Sequence, residues 1–223
     1  MATVSLPTTH NPTKAVMNIE RMQLMYGALS PFVRKVMVSA HEKNLVDSID
    51  LVPTAVGAGK TNETLMAINP VGKIPTLVLA DGTPVHDSTV IIDHFDTLVP
   101  EPRLIPVVVK ERIRALRMNA TADGLLVAGV LVRAELTRPE ANRWPEWHAA
   151  QLSKVRACLQ SLDQEVQGAG ASPTIGEVAA GIALGWVDFR MSELAWRDDC
   201  VNLARWYAEF SQRPSMLATA PKG

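Results

Sequence analysis

Three short stretches bring together residue types that could do chemistry, and each falls where a secondary-structure element should begin. Ser30-Pro31 follows the turn Gly27-Ala28-Leu29. Pro31 suits the first position of a helix, which needs no N–H donor, so Ser30 stands as a capping hydroxyl where a helix leaves the first strand. Gly72-Lys73-Ile74-Pro75-Thr76 sets a proline at the mouth of a strand. A cis bond before Pro75 would expose the backbone N–H and C=O of Ile74 to a ligand. Asp87-Ser88 opens another helix. A hydroxyl and free amide donors there suit a carboxylate, and Asp87 suits an ammonium. Taken singly, these stretches also read as two helix caps and an ordinary strand-edge proline. Their common setting raises them: all three sit at ends of elements in one small α/β unit, where clefts form.

Other patterns carry less. Gly57-Ala58-Gly59-Lys60-Thr61 resembles half of a phosphate loop, but Thr54 stands where the full pattern needs glycine, so a flexible loop is expected. Ser30 is not in a G-x-S-x-G nucleophile elbow. The five histidines are dispersed, with no HExxH pair, so no metal site is expected. Cys158 and Cys200 form no CxxC, which argues against a redox dithiol and rules out a disulfide scaffold. Trp144, Trp147, Trp186, Trp196 and Trp206 all lie in the second half and are expected to anchor a core or an interface. Lys plus Arg is 22 against 23 Asp plus Glu, a net charge of −1, which gives no case for a nucleic-acid or anionic-membrane partner. No apolar run nears the ~18 residues of a membrane span. Residues 1–21 lack the apolar core of a signal peptide. A soluble cytoplasmic protein is expected.

The elements that must position these residues follow from periodicity. At 223 residues the chain has room for one large domain or two small ones. Residues 1–21 are polar and aperiodic, and are expected to form an N-terminal extension. Residues 22–98 read as strand, helix, strand, helix, strand, strand, helix. In the first helix Phe32, Val33, Val36, Met37 and Ala40 share a face. Residues 99–106 carry Pro100, Pro102 and Pro106 and read as a linker. Beyond it every long segment is helical: 107–135, 146–166, 175–190 and 202–212. Gly168-Ala169-Gly170 should stop the second of these, and Thr174 with Glu177 fits a capping box at the start of the third. Met118, Ala122, Leu125 and Leu126 are expected to be a core stripe. The fold class is α/β followed by all-α.

On these motifs, residues 22–98 resemble the thioredoxin-like domain of the cytosolic glutathione S-transferases. Ser30-Pro31-Phe32-Val33-Arg34-Lys35-Val36 is similar to the start of the first helix in a bacterial subgroup. Asn69-Pro70-Val71-Gly72-Lys73-Ile74-Pro75-Thr76-Leu77 resembles the family's cis-proline segment, and Asp87-Ser88 with Ile91-Ile92 its acidic-Ser motif. Thr174-Ile175-Gly176-Glu177 is similar to its helical-domain capping box, with Gly-Glu where Ala-Asp is usual. Arg213-Pro214-Ser215 and Thr219-Ala220-Pro221 resemble the subgroup's C-terminal tail.

The resemblance implies a thioredoxin-like glutathione-binding domain at 22–98 and a helical-bundle domain at 107–223 that shapes a pocket for a hydrophobic electrophile. It implies a homodimer, with glutathione as co-substrate and no metal. By position, Ser30 would donate a hydrogen bond to the glutathione sulfur. Ile74 would pair its backbone with the cysteinyl unit, with Pro75 cis. Asp87 and Ser88 would hold the γ-glutamyl ammonium and carboxylate. Lys73 matches a position that often meets the peptide backbone or glycyl end, and Phe32 one that lines the pocket near the sulfur. Some relatives carry cysteine where Ser30 stands, and serine cannot form their mixed disulfide. That favours conjugation over thiol transfer. A reductase, isomerase or lyase on the same site, or a binding protein without turnover, are the alternatives.

Overall fold

The computed structural model describes residues 19–57, 59–166 and 172–221. Most of the expected extension and the expected stop at Gly168-Ala169-Gly170 lie outside the described residues, as does Ala58.

β1 (Met22–Tyr26) buries Met22 and Leu24 and exposes Gln23, the period of a strand with one covered face. It runs parallel to β2 (Ile49–Pro53) and antiparallel to β3 (Thr76–Val78), and β3 pairs antiparallel with β4 (Pro84–Val85). The sheet order is therefore β2-β1-β3-β4. A parallel pair needs a crossover, and α1 (Pro31–Glu42) supplies it between β1 and β2. α2 (Glu63–Ile68) precedes β3, and α3 (Ser88–Leu98) follows β4. This is the thioredoxin-type unit expected from the sequence.

α1 is covered on two sides. Val33, Val36 and Ala40 pack with Leu24, Leu77, Ile91 and Phe95 over the sheet. Val38 instead joins the core of the helical half. That half consists of α4 (Val109–Leu136), α5 (Pro145–Glu165), α6 (Ile175–Arg190), α7 (Val201–Phe210) and α8 (Pro214–Ala218). Met118, Ala122, Leu125 and Leu126 are all buried there, as the stripe predicted. α6 is apolar nearly all round because α1 and α4 both pack on it. By length and composition α4 could cross a membrane, but half of its apolar stretch is buried within this fold. Trp186, Trp196 and Trp206 anchor the same core, whereas Trp144, just ahead of α5, is 62% exposed. The capping box is present: the Thr174 hydroxyl accepts from the Glu177 N–H, and the Glu177 carboxylate accepts from the Thr174 N–H at 2.7 Å.

Residues 99–106 are irregular but not loose. Leu104 and Ile105 are buried with Ile92, Ala115 and Ile175. Asp96 accepts from the Leu104 N–H at 3.0 Å and from the Ile105 N–H at 2.7 Å. Lys43, just past α1, donates to Asp96 at 2.7 Å and to the Pro102 carbonyl at 2.7 Å. The connecting segment is thus gripped by a buried ion pair from the α/β unit.

The C-terminal end is fastened to α1 as well. Arg213 donates twice to the Glu42 carboxylate, at 3.0 and 2.9 Å, and the Ser215 hydroxyl donates to the same group. Burial alone would raise the Glu42 carboxyl. The bonds from Arg213 and Ser215 and the Arg213 charge outweigh burial and hold it below its ordinary range. A folded-state value below the unfolded one contributes stability that is present above the unfolded carboxylate value and is lost as pH falls through the folded one. Glu42→Gln should therefore lower the urea midpoint at pH 6. The gap to wild type should narrow as pH is taken from 5 toward 3. Parallel wild-type and variant stability curves over that range would show that the Glu42 charge does not hold α8.

Candidate active site

The site is built where the ends of β1 and β3 meet the starts of α1 and α3. After Tyr26 the chain turns, with the Ser30 N–H bonded to the Gly27 carbonyl at 3.0 Å. Ser30 caps α1, its hydroxyl oxygen accepting from the Val33 N–H at 3.3 Å. That bond uses a lone pair and leaves the hydroxyl proton to be donated elsewhere. Gly27 lies against Ile74: a side-chain carbon there would stand 2.6 Å from Ile74 Cδ1, so a larger residue would push the Ile74 side chain aside. The Ile74–Pro75 bond is cis. The β3 ladder begins one residue later, at Thr76 opposite Met25. The segment between is fixed by Asn69, whose amide donates to the Lys73 carbonyl at 3.1 Å and to the Thr76 hydroxyl at 2.8 Å. Gly27 thus meets both, its carbonyl accepting from the Ser30 N–H and its Cα facing the Ile74 side chain.

Asp87 caps α3, its carboxylate accepting from the Thr89 N–H at 3.0 Å. Asp87 is exposed and Ser88 buried. The Asp87 charge reaches Lys35 on α1 and Asp123 on α4. Phe32 packs against the helical core, and the Lys35 ammonium stands 5.9 Å from its ring centroid. Lys73 is placed differently. It is exposed, and its side chain makes no hydrogen bond or ion pair among the described residues; what the fold fixes is its carbonyl.

Beneath Asp87 lies a network that the motifs did not reveal. Lys35 has no solvent exposure, and its three donors go to Asp123 at 2.8 and 2.7 Å and to Asn119 at 3.1 Å. The Asn119 amide donates to Asp123 at 3.1 Å and to the Thr89 hydroxyl at 3.2 Å. Burial pushes the Lys35 ammonium down and the Asp123 carboxyl up, each against the pull of the other's charge. A sequence signal existed: Lys35 interrupts the Val33–Val36 face of α1, and Asn119 and Asp123 sit four apart along the apolar stripe of α4.

A small depression of about 10 Å³ lies beside Ser30. Ser30, Pro31 and Arg34 form one side, Ile182, Trp186 and Phe189 of α6 the other, and Pro221 the rim. Ile182 and Trp186 are buried there, and Phe189 is the exposed residue of that side.

Removing one partner of the buried pair leaves an uncompensated charge. Asp123→Ala should cost about 3–5 kcal/mol of stability. A Lys35→Met, Asp123→Leu double variant should recover most of that loss in urea unfolding. A double variant no more stable than Asp123→Ala would mean that packing, not charge, dominates there.

Residues 29–98 match the family described as glutathione S-transferase, N-terminal domain, and residues 145–209 the corresponding C-terminal domain family. Among solved structures, a glutathione transferase family member from Pseudomonas fluorescens Pf-5 with bound glutathione is similar at a TM-score of 0.83 and 37% identity, over 91% of this chain and 100% of that one. A family member from the same organism with bound S-(propanoic acid)-glutathione gives 0.81 and 38%, over 90% and 100%. Among curated proteins, the uncharacterised GST-like protein YibF of Escherichia coli K12 is 28% identical over 204 residues, which is 90% of this chain and 98% of that protein. With both family domains in order and more than a third of its aligned residues shared with a solved member over that member's whole length, the chain belongs to the glutathione S-transferase family.

Proposed function

We propose that this protein is a glutathione transferase that adds the glutathione thiolate to a hydrophobic electrophile beside the start of α1. The observation that carries the reading is Ser30, a capping hydroxyl that keeps a proton to donate at the start of α1. The relative that holds S-(propanoic acid)-glutathione supports conjugation, because that ligand is a thioether of glutathione, the product class of such a reaction. The reading keeps the homodimer that the resemblance implies and the cytoplasmic setting expected from the sequence.

Each site residue then has a role. Asp87 pairs with the γ-glutamyl ammonium, and Ser88 with the free donors of α3 takes its carboxylate. Ile74, beside a cis Pro75, pairs its backbone with the cysteinyl unit. Lys73, on its exposed stem, reaches the glycyl end, and Phe32 borders the sulfur. A charge-assisted bond contributes roughly 1.5–3 kcal/mol. Asp87→Ala should therefore weaken glutathione binding on the order of 10–100-fold in calorimetric titration. Unchanged affinity in the folded variant would put the γ-glutamyl site elsewhere.

Ser30 and the helix it caps activate the thiol together. A thiol with a pKa of about 8.5 is only about 3% thiolate at neutral pH. Bringing it to about 6.5 requires roughly 2.7 kcal/mol of preference for the anion. A helix N-terminus offers about 0.3–1 kcal/mol, and roughly 2 when partly buried. A hydroxyl donating to the thiolate offers about 1.5–3 kcal/mol. Neither is comfortably sufficient alone; both together are. Catalysis is then electrostatic stabilisation and positioning of a nucleophile that the substrate itself brings. Ser30→Ala should leave glutathione affinity nearly intact, raise the pKa of the bound thiol and cut turnover about 10–100-fold. Thiolate absorbance of bound glutathione against pH measures this directly. Superimposable titrations in the two proteins would return Ser30 to the role of a plain helix cap.

A further inference from the structure

We infer that Asp123 on α4 is a positioning residue for the γ-glutamyl end of glutathione: it takes up the Lys35 charge and so leaves the Asp87 carboxylate for the substrate's ammonium. The inference rests on the γ-glutamyl site proposed above and adds to it a residue of the helical half.

Three helices meet under that site. Lys35 comes from α1, Asn119 and Asp123 from α4, and Thr89 from the first turn of α3. The Lys35 ammonium is fully buried and directs its donors to Asp123, at 2.8 and 2.7 Å, and to Asn119 Oδ1, at 3.1 Å. Asn119 is buried too. Its amide nitrogen uses both protons, one on Asp123 at 3.1 Å and one on the Thr89 hydroxyl at 3.2 Å. Thr89 in turn donates its N–H to the Asp87 carboxylate at 3.0 Å. The buried ion pair is thus tied to the turn that carries Asp87 by two hydrogen bonds in series.

Two carboxylates therefore compete for one buried ammonium. Asp123 holds it directly, and the Asp87 charge reaches it as well. Among the described residues Asp87 makes no ion pair, and it is exposed where Lys35 is not. With Asp123 in place the pair beneath is neutral, and Asp87 keeps its negative charge for a ligand. Without Asp123 a buried cation would lack its counter-charge, and Asp87 is the next carboxylate that its charge reaches. Lys35 and the ammonium of glutathione would then be two like charges drawn to one carboxylate, each weakening the other.

Glutathione and N-glutaryl-cysteinylglycine, the same peptide without its amine, make a matched pair of probes. Calorimetry of both gives an amine preference, the ratio of their dissociation constants, without turnover. Asp123→Asn should lower that preference on the order of 10-fold, by weakening glutathione and sparing the glutaryl peptide. The Lys35→Met, Asp123→Leu double variant, in which no cation is left to compete, should recover it. If Asp123→Asn does not fold, Asp123→Ser, which leaves room for water beside Lys35, takes its place. An unchanged preference, equal weakening of both peptides, or a double variant as poor as Asp123→Asn would overturn the assignment and leave Asp123 a purely structural role. Asp87→Ala tells this apart from failure of the site itself. Loss of the preference in Asp87→Ala beside an unchanged one in Asp123→Asn would overturn only the role of Asp123. A preference that survives Asp87→Ala would put the γ-glutamyl site elsewhere and overturn both.

Discussion

An ammonium group cut off from water must find its counter-charge inside the fold, and α1 and its C-cap carry two of them. Lys35 and Lys43 are both buried, and each meets a carboxylate at 2.7 Å. The cost of desolvating such charges is several kcal/mol per ion, and only close, hydrogen-bonded geometry offsets it. The partners sit on different elements: Asp123 on α4 and Asp96 on α3. Satisfying both pairs therefore fixes α1 against the helical half at one end and against the connecting segment at the other. Asp96 extends the grip by holding two backbone N–H groups of residues 104 and 105. The junction between the halves is thus a specified structure, with a polar network whose members all find partners.

The position of α1 decides the geometry of the site. Its N-cap sets Ser30 at the start of the helix, and its buried flank carries Lys35 beneath Asp87. The starts of α1 and α3, each with a side-chain oxygen as cap, form the polar side. Helix N-termini are where unpaired backbone donors and the positive end of the macrodipole coincide. A peptide with a thiolate and a carboxylate has charge of the right sign for both, which is the physical basis of the proposed reading. α6, buried along nearly its whole length, packs against α1 and holds its position.

What the sequence determined by itself is local. Ser30, Asp87 and Thr174 are legible as caps because a cap reads only the next two or three residues. The strands and helices are legible because each must show one apolar face, and the stripe of Met118, Ala122, Leu125 and Leu126 marks the face of α4 that is covered. The prolines of 99–106 marked a break in regular structure. They did not show that Leu104 and Ile105 would be buried, because that depends on Ile92 and Ile175 arriving from elsewhere in the chain. Tertiary structure alone decided the pairings that define the site. Lys35 and Asp123 are 88 residues apart, and Arg34 and Thr219 are 185 apart. Periodicity can mark a charge on an apolar face as out of place. Which partner satisfies it is set only when the helices pack, since charge pairing acts through space over a few ångströms and carries no sequence period.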